Sequence, residues 1–314
     1  MKKSIHRRAV GILCGDFHLS LKAPVARSAE ENWLDAQTRP LDQLKDLSVK
    51  YDCDIFCTGD IFDKWDSKVE LVNWAMEYLP PRMWSIAGNH DLPLHSYDDI
   101  KKSAYWTLAR SRKIKHLANG VLGCKVFNWN VFGFNFTPSG CTGDYAGAKN
   151  ENNLALVHEY CYGSKKSAYK DAPKSANAAN LAERFKNFQV LASGDNHTPF
   201  EWMPAPGKRL PRIYNAGGLQ RRTISEIDHE PIVNVLFEDG HVEPHFLDCS
   251  EDKFIDVDAA CEIVEKAMDM TDFLNELKAL GEKGLDFAAA VKRFVSDNNV
   301  QSGVAKKIFK ALES

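Results

Sequence analysis

The chain has 314 residues, 44% hydrophobic and 26% charged, and a formal net charge of −3 at pH 7. That composition excludes wholesale disorder and a globally basic binding protein, although positive charge can still be confined to one face. No apolar stretch approaches the length of a membrane span, and the apolar run Ala9 to Cys14 that follows the basic start is too short for a secretory leader. Eight cysteines, none in a Cys-x-x-Cys pair, with Cys14, Cys53 and Cys57 in or beside predicted core strands, suit reduced thiols in a cytoplasmic protein and argue against a zinc ribbon.

In chain order, Val10 to Cys14 reads as a buried strand, followed by a polar, irregular segment from Leu19 to Arg39. Pro40 fits the first turn of a helix running to about Tyr51. Asp54 to Thr58 is a second strand, and Ser67-Lys68-Val69-Glu70 predicts a capping box for a helix that Pro80-Pro81 stops. Met83 to Ala87 is a third strand, and a helix is predicted from Tyr97 to Ala109. Beyond Lys113 the texture changes to short strands, among them Gly123 to Phe136 and Leu154 to Val157. The Lys-, Ser-, Ala- and Asn-rich stretch Ser164 to Asn180 reads as a mobile loop leading into a helix at Leu181 to Phe188. Val190 to Ser193 is another strand, then Arg212 to Asn215, Ile232 to Glu238 and His241 to Leu247, the last two joined by a hairpin at Asp239-Gly240.

From about residue 248 the periodicity becomes helical: Val257 to Met270, Asp272 to Leu280, Leu285 to Asp297 and Val304 to Leu312. The expected organisation is therefore an α/β domain over residues 1–247, a two-layer mixed β-sandwich flanked by helices, and a small C-terminal helical region over 248–314.

Five segments place metal-binding side chains directly after predicted strands: Asp16-Phe17-His18, Gly59-Asp60-Ile61-Phe62-Asp63, Gly88-Asn89-His90-Asp91, His158, and Gly194-Asp195-Asn196-His197. Ligand-binding groups in open α/β sheets gather beyond the carboxyl ends of the strands, so residues far apart in sequence can converge there. Each segment alone is commonplace, since Gly-Asp after a strand is usually a turn and a lone histidine usually a core residue. Their conjunction points to a two-metal phosphoester-hydrolysing centre, in which ions roughly 3.5–4 Å apart activate water and stabilise the leaving oxygen. Asp60, with two carboxylate oxygens at a tight turn, is the candidate shared ligand. Asp16 and His18, on alternate positions, would face one ion together if the strand continued, and Asn89 offers a neutral oxygen to the other.

The series Asp-x-His, Gly-Asp-x-x-Asp, Gly-Asn-His-Asp, His and Gly-x-x-His resembles the calcineurin-like metallophosphoesterase superfamily over residues 10 to about 200. The phrase from Gly59 to Asp63 and the later Asn215-Ala216-Gly217-Gly218-Leu219-Gln220-Arg221-Arg222 look most like the SbcD/Mre11 nucleases, phage-encoded versions included. The resemblance implies that Asp16, His18, Asp60 and His197 hold one ion, and that Asp60, Asn89, His158 and the residue at 195 hold the second. It also implies that the non-ligand His90 stabilises the transition state or protonates the leaving alkoxide, with Asp91 orienting its ring.

Position 195 departs from the family pattern, where a histidine is usual. Asp195 can ligate through oxygen, and a harder second site favours Mn²⁺, or Mg²⁺, over zinc; otherwise it marks a decayed site.

Lys165, Lys166, Lys170 and Lys174, interspersed with Tyr162 and Tyr169, form a candidate phosphate-backbone track, and Arg221 and Arg222 are candidates to reach a substrate phosphate. The resemblance implies DNA as substrate, a role in recombination or repair in a bacterial or phage-infected cell, a homodimer, and a Rad50/SbcC-like ATPase as partner of the C-terminal region. Two other readings stay open: a phosphatase or nucleotidase for small phosphoesters, and a non-catalytic module that only docks DNA or a partner.

Overall fold

The computed structural model describes residues 7–141 and 152–256, which fold as two stacked six-stranded mixed sheets with helices on both outer faces. The first sheet has β1 (Ala9–Cys14), β2 (Asp54–Cys57), β3 (Met83–Ser85) and β4 (Lys115–His116) in parallel; β11 (Ile232–Phe237) and β12 (Val242–Phe246) extend it antiparallel from β1. In the second, β6 (Trp129–Phe134), β7 (Asn152–His158), β8 (Val190–Gly194) and β10 (Arg212–Asn215) run parallel, with β5 (Leu122–Val126) and β9 (Phe200–Trp202) antiparallel at its edges. This is the expected two-layer mixed α/β sandwich flanked by helices.

Strands buried on both faces need apolar residues at nearly every position, and the alternation of β2, β7 and β8 divides them between two cores. Phe56, Leu154, Leu156, Val190 and Ala192 pack between the sheets, while Ala155, Val157 and Leu191 turn to the outer layer of the second sheet. A bulge in β1 between Ala9 and Gly11 keeps Ile12 and Cys14 under the helices and Val10 and Leu13 between the sheets. Helices α1 (Trp33–Tyr51), α2 (Val69–Tyr78) and α3 (Ala104–Arg110) cover the first sheet through Leu41, Leu44, Leu71, Ala75 and Leu108, and α4 (Ala178–Arg184) covers the second.

The expected helix boundaries shift where side chains offer caps. α1 begins seven residues before Pro40, because the Asn32 carboxamide accepts the amides of Leu34 and Asp35. Pro40 sits inside the helix, and Arg39 Nε donates to the Ala36 carbonyl that the missing proline amide leaves without its usual partner. The capping box at Ser67 does not form, since the Ser67 hydroxyl donates to the Lys64 carbonyl and α2 starts after Lys68. The helix expected from Tyr97 breaks at Ser103, which caps α3, and α4 starts three residues early on an Asn177 cap. Asp239-Gly240 does turn the β11–β12 hairpin, with Gly240 at φ +81°.

The compact unit that carries these sheets ends at Ile255, and residues 256–314 form a second unit. Residues 248–255, placed by the sequence with the C-terminal region, belong to the first because ionic and hydrogen bonds tie them there. Arg27, 1% exposed, donates to Glu30, Asp252 and the carbonyls of Arg221 and Lys253, and its guanidinium faces the Phe254 ring at 5.0 Å. The helices expected from 257 onward lie outside the described residues. No helix among the described residues is long and apolar enough to cross a membrane.

Removing Arg27 would break two largely buried ion pairs and empty its own buried site, although Arg39 still reaches Glu30 and Arg221 still reaches Asp252. Arg27→Ala is expected to lower the unfolding free energy by about 1–3 kcal/mol in urea denaturation, whereas an exposed pair such as Lys102–Asp99 should change it by about 0–1 kcal/mol when broken.

Candidate metal centre

All five segments lie at one end of the sandwich, where β1, β2, β3, β7 and β8 run out. β1 stops at Cys14, and Asp16 and His18 do not continue it: their φ values are 52° and 47°, with Asp60 at 52° and Asp195 at 76°. Left-handed backbone is uncommon outside glycine, and aspartate and histidine are among the residues that adopt it most readily. The bends are held by main-chain bonds from Asp16 N to Gly59 O (3.0 Å), His18 N to Asp60 O (2.9 Å) and Leu19 N to Ile61 O (2.9 Å). Gly59, at φ +104°, and Gly88 let these loops touch; a Cβ on Gly88 would lie 2.0 Å from Asp60 Oδ1.

The side chains then point their electron pairs at one another. His18 Nε2 and His197 Nε2 are 3.0 Å apart, and Asp60 Oδ2 lies 3.6 Å from His18 Nε2 and 3.5 Å from His158 Nε2. His158 donates from Nδ1 to the Thr58 carbonyl (2.6 Å), which leaves Nε2 facing Asn89 Oδ1 at 2.9 Å. Ligand atoms fall into three overlapping clusters: Asp16, His18 and His197; Asp16, Asp60 and His158; and His18, Asp60 and His90. Asp16 and Asp60 are each 1% exposed, and among the described residues neither meets a lysine or arginine in an ion pair. Buried carboxylates without a cationic partner, ringed by imidazole nitrogens, fit divalent cations.

The electrostatics carry the same strain. Burial pushes the Asp16 carboxyl up to about 6, against the pull of His158 and His197. For Asp60 burial acts in the same direction, but His158 and His18 outweigh it and hold the carboxyl below the usual range. Burial keeps His18 neutral to well below the ordinary imidazole range, while His158, despite its burial, is raised well above by Asp60, Asp195 and Asp16.

Asp16, His18, Asp60, Asn89, His90, His158 and His197 therefore come together. Asp195 does so by its backbone: its amide donates to Asp16 Oδ1 at 3.0 Å, while its carboxylate joins none of the three clusters. Asp91 does not orient the His90 ring. It is fully buried and accepts the amides of Ile61, Phe62 and Gly88, bracing the loops, and His90 Nδ1 instead meets the Asp63 carbonyl at 2.7 Å.

The two arginines part company. Arg221 spends its guanidinium on Asp252 and the carbonyls of Ile227 and Cys249, which takes it away from any substrate, whereas Arg222 reaches the centre and donates to Asp63 Oδ1 at 2.7 Å. Lys165 and Lys166 are exposed on a loop that is tied down where mobility was expected: the buried Asn196 side chain donates to the carbonyls of Cys161 and Ser167, both at 2.8 Å. Asn196 and Glu226 escaped sequence reasoning. Glu226 had a signal in Thr223-x-x-Glu226, a capping box that the structure forms.

The model of the calcineurin-like phosphoesterase family matches residues 12–199, more than half of the chain. The chain belongs to the calcineurin-like phosphoesterase family. As a member it is a metal-dependent phosphoester hydrolase, and the clustered donors suit a dimetal site. A metallophosphoesterase from Sphaerobacter thermophilus is 15% identical with a TM-score of 0.38, over 83% of this chain and 95% of that one. A dimetal phosphatase from Danio rerio is 10% identical with a TM-score of 0.44, over 77% and 99%. A hypothetical protein from Pyrococcus horikoshii is 12% identical with a TM-score of 0.36, over 82% and 93%. No curated protein matches the phosphoesterase.

Two outcomes are expected. Gly88→Ala should displace the Asp60 carboxylate and weaken Mn²⁺ binding on the order of tenfold or more while circular dichroism stays unchanged. Because Asp16 holds a proton below about 6 in the metal-free chain, Mn²⁺ must displace it; calorimetric affinity should fall as pH is lowered from about 7.5 to about 5, with proton release on binding.

Proposed function

We propose that this phosphoesterase hydrolyses phosphodiester bonds in DNA, as a Mn²⁺-dependent nuclease of the SbcD/Mre11 type. One observation supports the reading most: the basic, aromatic loop after β7 is hydrogen-bonded through Asn196 to the loop that carries Asp195 and His197. Lys165, Lys166, Lys170 and Lys174 lie on that loop with two acidic residues, Asp171 and Glu159, the latter paired with Arg184, and the Tyr160 and Tyr169 rings sit 4.7 Å apart, with Tyr169 exposed. A cationic track with aromatic rings suits a polyanion whose bases can stack, more than a small monoester.

In this reading Asp16, His18, Asp60 and His197 would hold one ion, and Asp60, Asn89 and His158 the other. The donor set mixes three imidazoles with the oxygens of Asp16, Asp60 and Asn89, and those oxygens suit Mn²⁺. The bound pair of ions supplies Lewis acidity toward the phosphate and lowers the pKa of water. The chain's own residues do the remainder. Arg222, kept in place by Asp63, offers a guanidinium to a non-bridging phosphate oxygen. The Asp63 carbonyl accepts from His90 Nδ1 and so aims Nε2 of the same ring at the centre, where it delivers a proton to the departing sugar oxygen.

Purified protein with Mn²⁺ is expected to degrade end-labelled single- or double-stranded DNA and to cleave bis-p-nitrophenyl phosphate in preference to the monoester. His90→Asn should bind Mn²⁺ normally and lose about 10²–10⁴ in kcat. Robust monoester cleavage without action on DNA would replace this reading with a phosphatase; tight DNA binding without hydrolysis under any divalent metal would replace it with a binding module. Replacing Lys165 and Lys166 together by alanine should weaken DNA binding and flatten its log–log salt dependence by about 1.5–2, with turnover of bis-p-nitrophenyl phosphate unchanged.

A further inference from the structure

We infer that Glu226 is a positioning residue for the metal centre: it holds the proton of His197 on Nδ1 and so keeps Nε2 free to bind an ion. The inference rests on the metal-holding role of His197 and is independent of DNA as substrate.

A histidine that binds a metal through one ring nitrogen carries its proton on the other, and the acceptor of that N–H sets tautomer and ring orientation. His197 Nε2 faces His18 Nε2 at 3.0 Å, inside the cluster formed with Asp16, so Nε2 is the nitrogen turned toward the centre. The opposite nitrogen, Nδ1, lies 3.9 Å from Glu226 Oε1, an ion-pair separation longer than a hydrogen bond, and this is the one carboxylate paired with that nitrogen among the described residues. The ring itself is 41% exposed, so packing alone does not hold it.

Glu226 is well placed to do so because it is itself fixed. Its Oε2 accepts the amides of Arg222 (2.6 Å) and Thr223 (2.8 Å), completing a capping box at the short 3₁₀ turn Ile224–Glu226. With Oε2 engaged by two main-chain donors, Oε1 is the oxygen left for the imidazole. Those donors, with His197, hold the Glu226 carboxyl down to about 2 against its burial.

The same stretch of chain reaches the other metal loops. Leu219 N donates to the Asp16 carbonyl at 3.3 Å, the buried Gln220 side chain donates to the Phe17 carbonyl, and Arg222 donates to Asp63. Residues 219–226 thus form one outer brace, and Glu226 is the contact through which it acts on a metal-facing imidazole.

Glu226→Gln separates this role from loop stability. Its carbonyl oxygen can still accept the amides of Arg222 and Thr223, but the amide NH₂ then faces Nδ1, donates to it and drives the ring proton onto Nε2. The expected result by Mn²⁺ calorimetry is two binding steps in the natural protein and, in Glu226→Gln, one step weakened about 10–100-fold with the other preserved. The metal-free variant should stay folded, its thermal unfolding midpoint falling by only a few degrees because both main-chain bonds are kept while the carboxylate charge is lost. In ¹⁵N-histidine NMR of the metal-free proteins at alkaline pH, the His197 proton should sit on Nδ1 in the natural chain and on Nε2 in the variant. Natural affinities for both ions in Glu226→Gln, or an unaltered His197 tautomer, would overturn the inference while leaving the metal centre intact. Failure of the natural protein to bind Mn²⁺ at all would overturn the metal centre and the inference with it.

Discussion

Two carboxylates, Asp16 and Asp60, are buried at the end of this sandwich with imidazoles around them and, among the described residues, no ion pair to lysine or arginine. Taking a negative charge out of water costs several kcal/mol unless something compensates it. In the metal-free chain compensation is partial and uneven: Asp16 is driven toward its neutral form, Asp60 is kept charged, and His158 takes up the balancing proton. Divalent cations resolve that frustration with one kind of ligand, and the left-handed bends at Asp16, His18 and Asp60 show how far the backbone is deformed to assemble the cage.

The fold supplies the rigidity that this deformation requires. Parallel strands buried on both faces fix the take-off points of the loops, and Gly59 and Gly88 let two of those loops approach more closely than any side chain would permit. Around the cage runs a layer of polar anchors. Asp91 ties the second and third loops together, Asn196 ties the fifth to the basic loop, and residues 219–226 span the first, second and fifth. Arg27 and Arg221 then fasten that brace to residues 249–254, so the edge of the compact unit is coupled mechanically to its centre.

Much of this was legible in the sequence, for identifiable reasons. Strands such as β8 are apolar from Val190 to Ala192 because both faces are buried, and the metal-binding side chains follow such strands closely, so both fold class and centre could be read from order and spacing. Helix starts were less legible, because they depend on which polar side chain wins a local competition. Ser67-x-x-Glu70 has the form of a capping box and Thr223-x-x-Glu226 has it equally, yet Ser67 is spent on the Lys64 carbonyl and only the second box closes. The contacts of Asp91 and Arg221, and that of Glu226 with His197, were not legible. Adjacent residues such as Arg221 and Arg222 point opposite ways, and nothing in residue type distinguishes the one bound to Asp252 from the one that reaches Asp63.

The central claim is that distant loops form one cage for two cations with Asp60 between them. Crystals grown with Mn²⁺ and measured at the manganese absorption edge test it most directly. Two anomalous peaks roughly 3.5–4 Å apart are expected, with one oxygen of Asp60 directed at each or shared by both. A single peak away from Asp60, or none with the carboxylates and imidazoles turned apart, would contradict it.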